Sequence, residues 1–142
     1  MSPDDLTWIT DRVAITNFFS AHRREVLAEA RVEAILCLDE EVRGDEAADR
    51  GVACIRVVHL QDGENEMVLF EEAVATLDEL LGTYQRVVVH CRAGRSRSVA
   101  VVAAHLKQSR GWNAEEALGL VKARRDSAIA PELVRLVERF GL

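Results

Sequence analysis

Nine residues, His90-Cys91-Arg92-Ala93-Gly94-Arg95-Ser96-Arg97-Ser98, stand between two apolar runs, and no other stretch restricts the fold as much. Val87-Val88-Val89 before them is short enough for a buried strand. Val99-Ala100-Val101-Val102-Ala103-Ala104 after them opens a stretch that runs to Gly111, long enough for a buried helix. A strand feeding a tight loop that opens a helix is a way of building an anion site. Successive loop N–H groups turn inward, and the positive end of the helix dipole adds to them. Cys91 sits at the mouth of this loop and Arg97 at its far end, with five residues between them. That interval lets the backbone curl around one tetrahedral oxyanion while thiol and guanidinium both face it. An anion cradle that carries a nucleophile reads as phosphoryl transfer.

The rest of the chain supplies a frame for such a unit. Residues 6–17 hold Trp8 and Ile9 and then a short strand, Val13 to Thr16. Ser20 reads as the N-cap of a helix running to about Arg31, with Val26, Leu27 and Ala30 on one face. Ala34 to Leu38 is a second buried strand. The stretch from Asp39 to Asp49 is acidic and nearly free of large apolar residues, so it reads as a solvated loop or loose helix. A strand follows over 53–60 and ends in Gln61-Asp62-Gly63, which is turn chemistry. Met67, Val68, Phe70, Val74, Leu77, Leu80 and Leu81 recur at helical intervals up to Gly82. Asn113 with Glu116 three residues on resembles a capping box, and Pro131 opens a last helix bearing Leu133, Leu136, Val137 and Phe140. Strands alternating with helices predict an α/β fold, one domain over residues 1–142. The expected architecture is a three-layer sandwich, a mostly parallel sheet of four to five strands with helices on both faces. The reactive loop is expected at the carboxyl end of a central strand.

Charge and cysteine usage narrow the function. The formal net charge of −6 sets the surface against nucleic acid and anionic membranes. No apolar run approaches the ~20 residues of a membrane span, and Met1-Ser2-Pro3-Asp4-Asp5 lacks the features of a signal peptide, so a cytoplasmic protein is expected. Cys37, Cys54 and Cys91 form no CxxC pair, and His22, His59, His90 and His105 show no ligand spacing. No metal and no cofactor are expected, and a monomer is the default. His22 and His105 read as ordinary surface or core residues.

The loop resembles the His-Cys-x5-Arg-Ser/Thr signature of the protein tyrosine phosphatase superfamily. Its Ala-Gly-x-Ser-Arg-Ser wording is most similar to the dual-specificity branch. The likeness extends from about Trp8 onward, resting elsewhere on the Asp62 turn and the Ala117…Arg124…Ile129…Pro131 tail. It implies a phosphate-binding loop formed by Arg92, Ala93, Gly94, Arg95, Ser96 and Arg97. Cys91 is then the nucleophile, passing through a phosphocysteine that water hydrolyses. An ordinary thiol titrates near ~8.5, but beside a helix N-terminus, inward N–H groups and a guanidinium the value falls to ~3.5–7.5. Arg97 offers a planar fork to two phosphate oxygens. Ser98 is expected to donate its hydroxyl to the Cys91 sulfur and to cap the following helix. His90 ties strand to loop, and Gly94 supplies a backbone geometry awkward for other residues. Arg92 and Arg95 turn their side chains outward around the rim. In the family an Asp in the preceding loop is the general acid, and Asp62 occupies that place. Asp is also a plain turn former, and Glu64 or Glu66 remain as alternatives, or as neighbours that raise the pKa of Asp62.

These readings imply a phosphatase acting on phosphotyrosine, and on phosphoserine or phosphothreonine, in proteins. The same chemistry also suits phosphoinositides or an RNA 5′-phosphate, the latter disfavoured by the acidic surface. A non-catalytic phosphopeptide-binding module is the remaining alternative, against which the intact pair Cys91 and Arg97 stands. Cys54 and Cys37 read as buried core cysteines; a second role, protecting an oxidised Cys91, is open to either.

Overall fold

Val87–His90 (β5) forms the middle strand of a five-stranded sheet in the computed structural model, which describes residues 5–40 and 46–142. Val13–Thr16 (β2) lies on one side of it and Ala34–Cys37 (β3) on the other, both parallel to it. Cys54–Val57 (β4) extends the sheet in parallel beyond β3, and Leu6–Trp8 (β1) closes the other edge antiparallel to β2. The order β1-β2-β5-β3-β4 thus encloses the most apolar strands between two edge strands. Residues of the three inner strands alternate between two cores, as a period of two requires. Val13, Ile15, Ala34, Leu36, Val87 and Val89 enter the larger core; Ala14, Ile35 and Val88 enter the smaller one with Leu27, Val32 and Val52. Burial on both faces explains why these strands read as unbroken apolar runs.

Helices cover each face. On the smaller side lie Phe18–Ala21 (α1), Arg24–Glu29 (α2) and Ala47–Arg50 (α3). On the larger side lie Met67–Thr83 (α4), Arg97–Arg110 (α5), Ala114–Arg124 (α6) and Pro131–Arg139 (α7). Helix α4 buries Phe70, Ala73, Val74, Leu77 and Leu80, one stripe of an amphipathic surface. Helix α5 is enclosed by α4, α6 and α7, so Val99 to Ala104 and Leu106 are all buried. Small residues at Ala100, Ala103 and Ala104 let these neighbours approach. Gly111 in the left-handed conformation ends α5. The Asn113–Glu116 capping box starts α6, and Pro131 starts α7. Among the described residues no helix is long and apolar enough to cross a membrane.

The structure corrects the sequence reading at several places. Asn17 and not Ser20 holds the N-cap place, accepting from the Ser20 N–H at 2.7 Å, and the expected long helix is two short ones, α1 and α2. Ser and Asn are both good caps, and only the path of the chain chooses between them. The strand over 53–60 shrinks to Cys54–Val57, the stretch in register with β3; beyond it Val58 N and Leu60 N still bond to Cys37 O and Leu38 O at 2.9 and 3.0 Å, past the end of β3. Leu6–Trp8 is a strand in its own right. Val68, counted on the apolar stripe of α4, is 72% exposed. Of the acidic stretch from Asp39 to Asp49, residues 41–45 lie outside the described part, and Asp39 is not solvated at all but 5% exposed.

Candidate active site

Because β5 ends at His90, the period of two sends His90 and Cys91 to opposite faces of the sheet. Cys91 joins the larger core beneath α5 and is 2% exposed. His90 turns to the smaller side, where its ring lies 6.4 Å from Phe18 and 5.9 Å from His22. There His90 Nδ1 donates to the Cys91 carbonyl at 3.1 Å. Burial lowers the imidazole to about 4; the carbonyl bond opposes this, while Arg50 and His22 act with it. His90 is therefore neutral at pH 7, a fixed tie between strand and loop. His22 is half-buried, and its Nε2 accepts from the buried Arg50 at 2.8 Å.

The loop from Arg92 to Ser96 has its carbonyl groups fastened outward one after another. Arg92 O accepts from Phe18 N at 2.8 Å, and Ala93 O and Gly94 O accept from Arg125 at 3.3 and 2.5 Å. Arg95 O accepts from Ala128 N and Ser96 O from Ala100 N, each at 2.9 Å. Among the described residues no acceptor pairs with the N–H groups of residues 92–96. Carbonyls out and amides free is the polarity an anion cradle needs, and the N-terminus of α5 faces the same space. Gly94 makes the curl possible: its φ is +70°, and a Cβ there would lie 2.4 Å from Thr16 O and 2.7 Å from Arg125 Nη2. Arg125, 5% exposed, also donates to Asp5, Thr7 and Ile15, so one buried guanidinium fastens the loop to β1 and β2. Sequence reasoning missed Arg125. A double Arg after a helix looks like surface charge, and only its C-cap position on α6 turns it inward.

The other named side chains gather at this loop. Ser98 Oγ lies 3.3 Å from Cys91 Sγ and is fully buried. It sits inside α5 and does not cap it; Ser96 holds the N-cap place, without a capping bond of its own. Ser96 Oγ instead donates to Asp62 Oδ1 at 2.5 Å and accepts from Ala130 N at 3.0 Å. Asp62 is thereby brought onto the loop from the turn after β4. Asn65 stiffens that turn, accepting from Gln61 N and donating to Gln61 O and Gly63 O. Glu64 lines a surface cleft with Arg135 and Arg139 of α7, and Glu66 stands at the start of α4.

Arg97 is 11% exposed, and its Nη1 donates to Leu60 O at 3.1 Å and to Asp39 Oδ1 at 3.4 Å. Arg92 and Arg95 are exposed at the rim, and each faces a carboxylate. Arg92 Nε is 2.9 Å from Asp39 Oδ2 while its guanidinium lies 4.3 Å over the Phe18 ring. Arg95 pairs with Asp126 at 2.9 Å. Burial alone would raise the Asp39 carboxyl. The Glu40 N–H and the guanidiniums of Arg97 and Arg92 outweigh it and hold the group below its ordinary range. The acidic composition around Asp39 predicts a solvated stretch. The burial of Asp39 follows from β3 lying next to β5, which no local pattern reveals.

A thiol at the mouth of an amide-lined loop, a guanidinium at its end, a hydroxyl against the sulfur and a carboxylate over the rim can carry out attack on phosphorus and protonation of a leaving oxygen. Residues 16–138 match the family model described as dual specificity phosphatase, catalytic domain. The chain is 35% identical over 109 residues to dual specificity protein phosphatase 1 of Arabidopsis thaliana, covering 77% of this chain and 54% of that protein. It is 43% identical over 79 residues to protein-tyrosine-phosphatase IBR5 of the same plant, covering 54% of this chain and 31% of the relative. These matches span only about a third to a half of the relatives' own lengths. Among solved structures, human DUSP28 superposes with a TM-score of 0.82 at 22% identity, over 98% of this chain and 94% of its own.

Proposed function

The chain belongs to the dual specificity phosphatase family, and from that premise we propose that it hydrolyses phosphate monoesters on proteins, phosphotyrosine first, through a phosphocysteine intermediate. In this reading Cys91 attacks phosphorus while the amides of residues 92–96 and Arg97 take the three non-bridging oxygens. Asp62 protonates the leaving oxygen. Water, activated by the same carboxylate, then cleaves the phosphocysteine, and the Ser98 hydroxyl stabilises the departing thiolate.

One observation carries the reading: every loop carbonyl from Arg92 to Ser96 is tied outward, leaving the amides around Cys91 for an anion. The rim supports an aromatic ester with one phosphate. Arg92 already faces Asp39 and stacks on Phe18, so it is not a free cation for a second phosphate. Phe19, 72% exposed and 5.8 Å from the Phe18 ring, leaves an aromatic edge beside the loop. Release of phosphate from p-nitrophenyl phosphate, a phosphotyrosyl peptide, a phosphoseryl peptide and inositol bisphosphate tests this directly. Turnover is expected, greatest for the phosphotyrosyl peptide, and lost on Cys91→Ser with tungstate binding kept. A Cys91→Ser protein that still turns over removes Cys91 from its role. Tungstate binding without turnover by the unaltered protein would favour the binding module.

A further inference from the structure

We propose that Asp39 is a positioning residue that clamps the Arg97 guanidinium edge-on to the phosphate site. The proposal rests on the reading of Arg97 as the phosphate-binding guanidinium. A carboxylate 5% exposed beside a site for an anion is doubly unfavourable, since it loses water and repels the substrate. What offsets this is its geometry. Oδ1 receives Arg97 Nη1 at 3.4 Å and Oδ2 faces Arg92 Nε at 2.9 Å, so one carboxylate spans the loop from residue 92 to residue 97. The Leu60 carbonyl holds the same Arg97 Nη1 at 3.1 Å. A planar guanidinium with Nη1 fixed by two acceptors has only its Nε–Nη2 edge left for a ligand. Arg97 Nε is buried and, among the described residues, has no partner. That edge presents two parallel N–H groups, the pattern that matches two oxygens of a phosphate. Asp39 therefore orients Arg97 before substrate arrives and keeps it from swinging out to water.

The test is a double-mutant cycle of Asp39→Ala with Arg97→Lys, with Asp39→Asn as the shape-preserving variant. Asp39→Ala is expected to lower kcat/KM for p-nitrophenyl phosphate and weaken tungstate binding by about tenfold or more, with Asp39→Asn intermediate. In the Arg97→Lys background, which has lost the fork, Asp39→Ala should add little. The pH dependence of Cys91 alkylation by iodoacetamide separates clamping from bare charge. Loss of a nearby anion by itself moves its midpoint to lower pH; a guanidinium no longer held at the loop moves it higher, which is the expected result. Neither of the other titratable groups near Asp39 confuses this. Burial raises the Cys37 thiol, and His90 stays neutral above about 4. Unchanged kcat/KM and tungstate affinity in Asp39→Ala, an equal loss in both backgrounds, or a midpoint that falls would each overturn the proposal. Those results, with an active unaltered protein, leave the phosphatase reading standing. An unaltered protein that neither turns over nor binds tungstate overturns both.

Discussion

Gly94 shows how much one residue decides at this site. Alanine there must adopt a φ of +70° and push its Cβ against the Thr16 carbonyl, which β2 holds in place. The left-handed conformation alone costs roughly 1–2 kcal/mol, and relief of the clash requires the loop to move. Gly94→Ala is expected to weaken tungstate binding and lower turnover far more than it lowers Tm, as calorimetry beside kinetics will show. Asp62 is the second residue whose role is open to measurement. If it is the acid, Asp62→Asn slows esters of poorly acidic alcohols strongly and esters of acidic phenols little, and flattens the basic limb of the rate profile. Ser96→Ala, which removes the hydroxyl that fastens Asp62 to the loop, should show the same leaving-group pattern in weaker form. Should Glu64→Gln remove the limb while Asp62→Asn keeps it, the acid is Glu64.

Among the elements, β5, the loop and α5 form one unit that was legible in the sequence, because its two apolar runs leave no other way to be buried. The capping box of α6 and the Pro131 start of α7 were legible for a similar reason, each being a local arrangement of a few neighbouring residues. The α1–α2 region was not. There Asn17 and Ser20 compete as caps, and the break between the helices follows from packing against β5. The end of α2 carries a testable strain. Arg31 has φ +58°, with its N–H bonded to Ala28 O and the Val32 N–H to Leu27 O, a helix ending that ordinarily uses glycine. Arg31→Gly is expected to stabilise the fold by about 0.5–1 kcal/mol, seen as a rise in Tm of about 2–4 °C. A fall in Tm would show that the Arg31 side chain contributes more than its backbone costs.

For the molecule as a whole, His90 couples the site to stability against acid. The fold favours its neutral form, lowering the group from 6.5 to about 4. A group depressed in this way contributes fully above pH 6.5, and its contribution is lost as the pH falls from 6.5 through about 4. The gap amounts to roughly 3 kcal/mol. His22, also lowered by burial, adds in the same direction, whereas Asp39 loses its contribution only below its ordinary value of 3.8. Denaturant titrations at pH 7, 6 and 5 should therefore show stability falling with pH. His90→Asn, which keeps a donor near the Cys91 carbonyl but cannot take up a proton, should flatten that slope. Parallel slopes in the two proteins would place the acid sensitivity elsewhere.

The sequence by itself determined what depends on neighbours along the chain. The alternation of apolar strands and helices, the reactive loop, and the positions of Cys91, Arg97 and Ser98 within it all come from contiguous residues and their periodicity. Tertiary structure alone decided what depends on strand order. With β3 beside β5, Asp39 meets Arg97 across 58 positions of sequence, and the turn after β4 delivers Asp62 to Ser96 across 34. Arg125 reaches the loop carbonyls across 31 and 32 positions because α6, which it ends, packs against α5. A carboxylate in an acidic stretch and an arginine at a helix end carry no local mark of burial. Their partners are set by which strands and helices lie side by side, and that is fixed only when both faces of the sheet are covered.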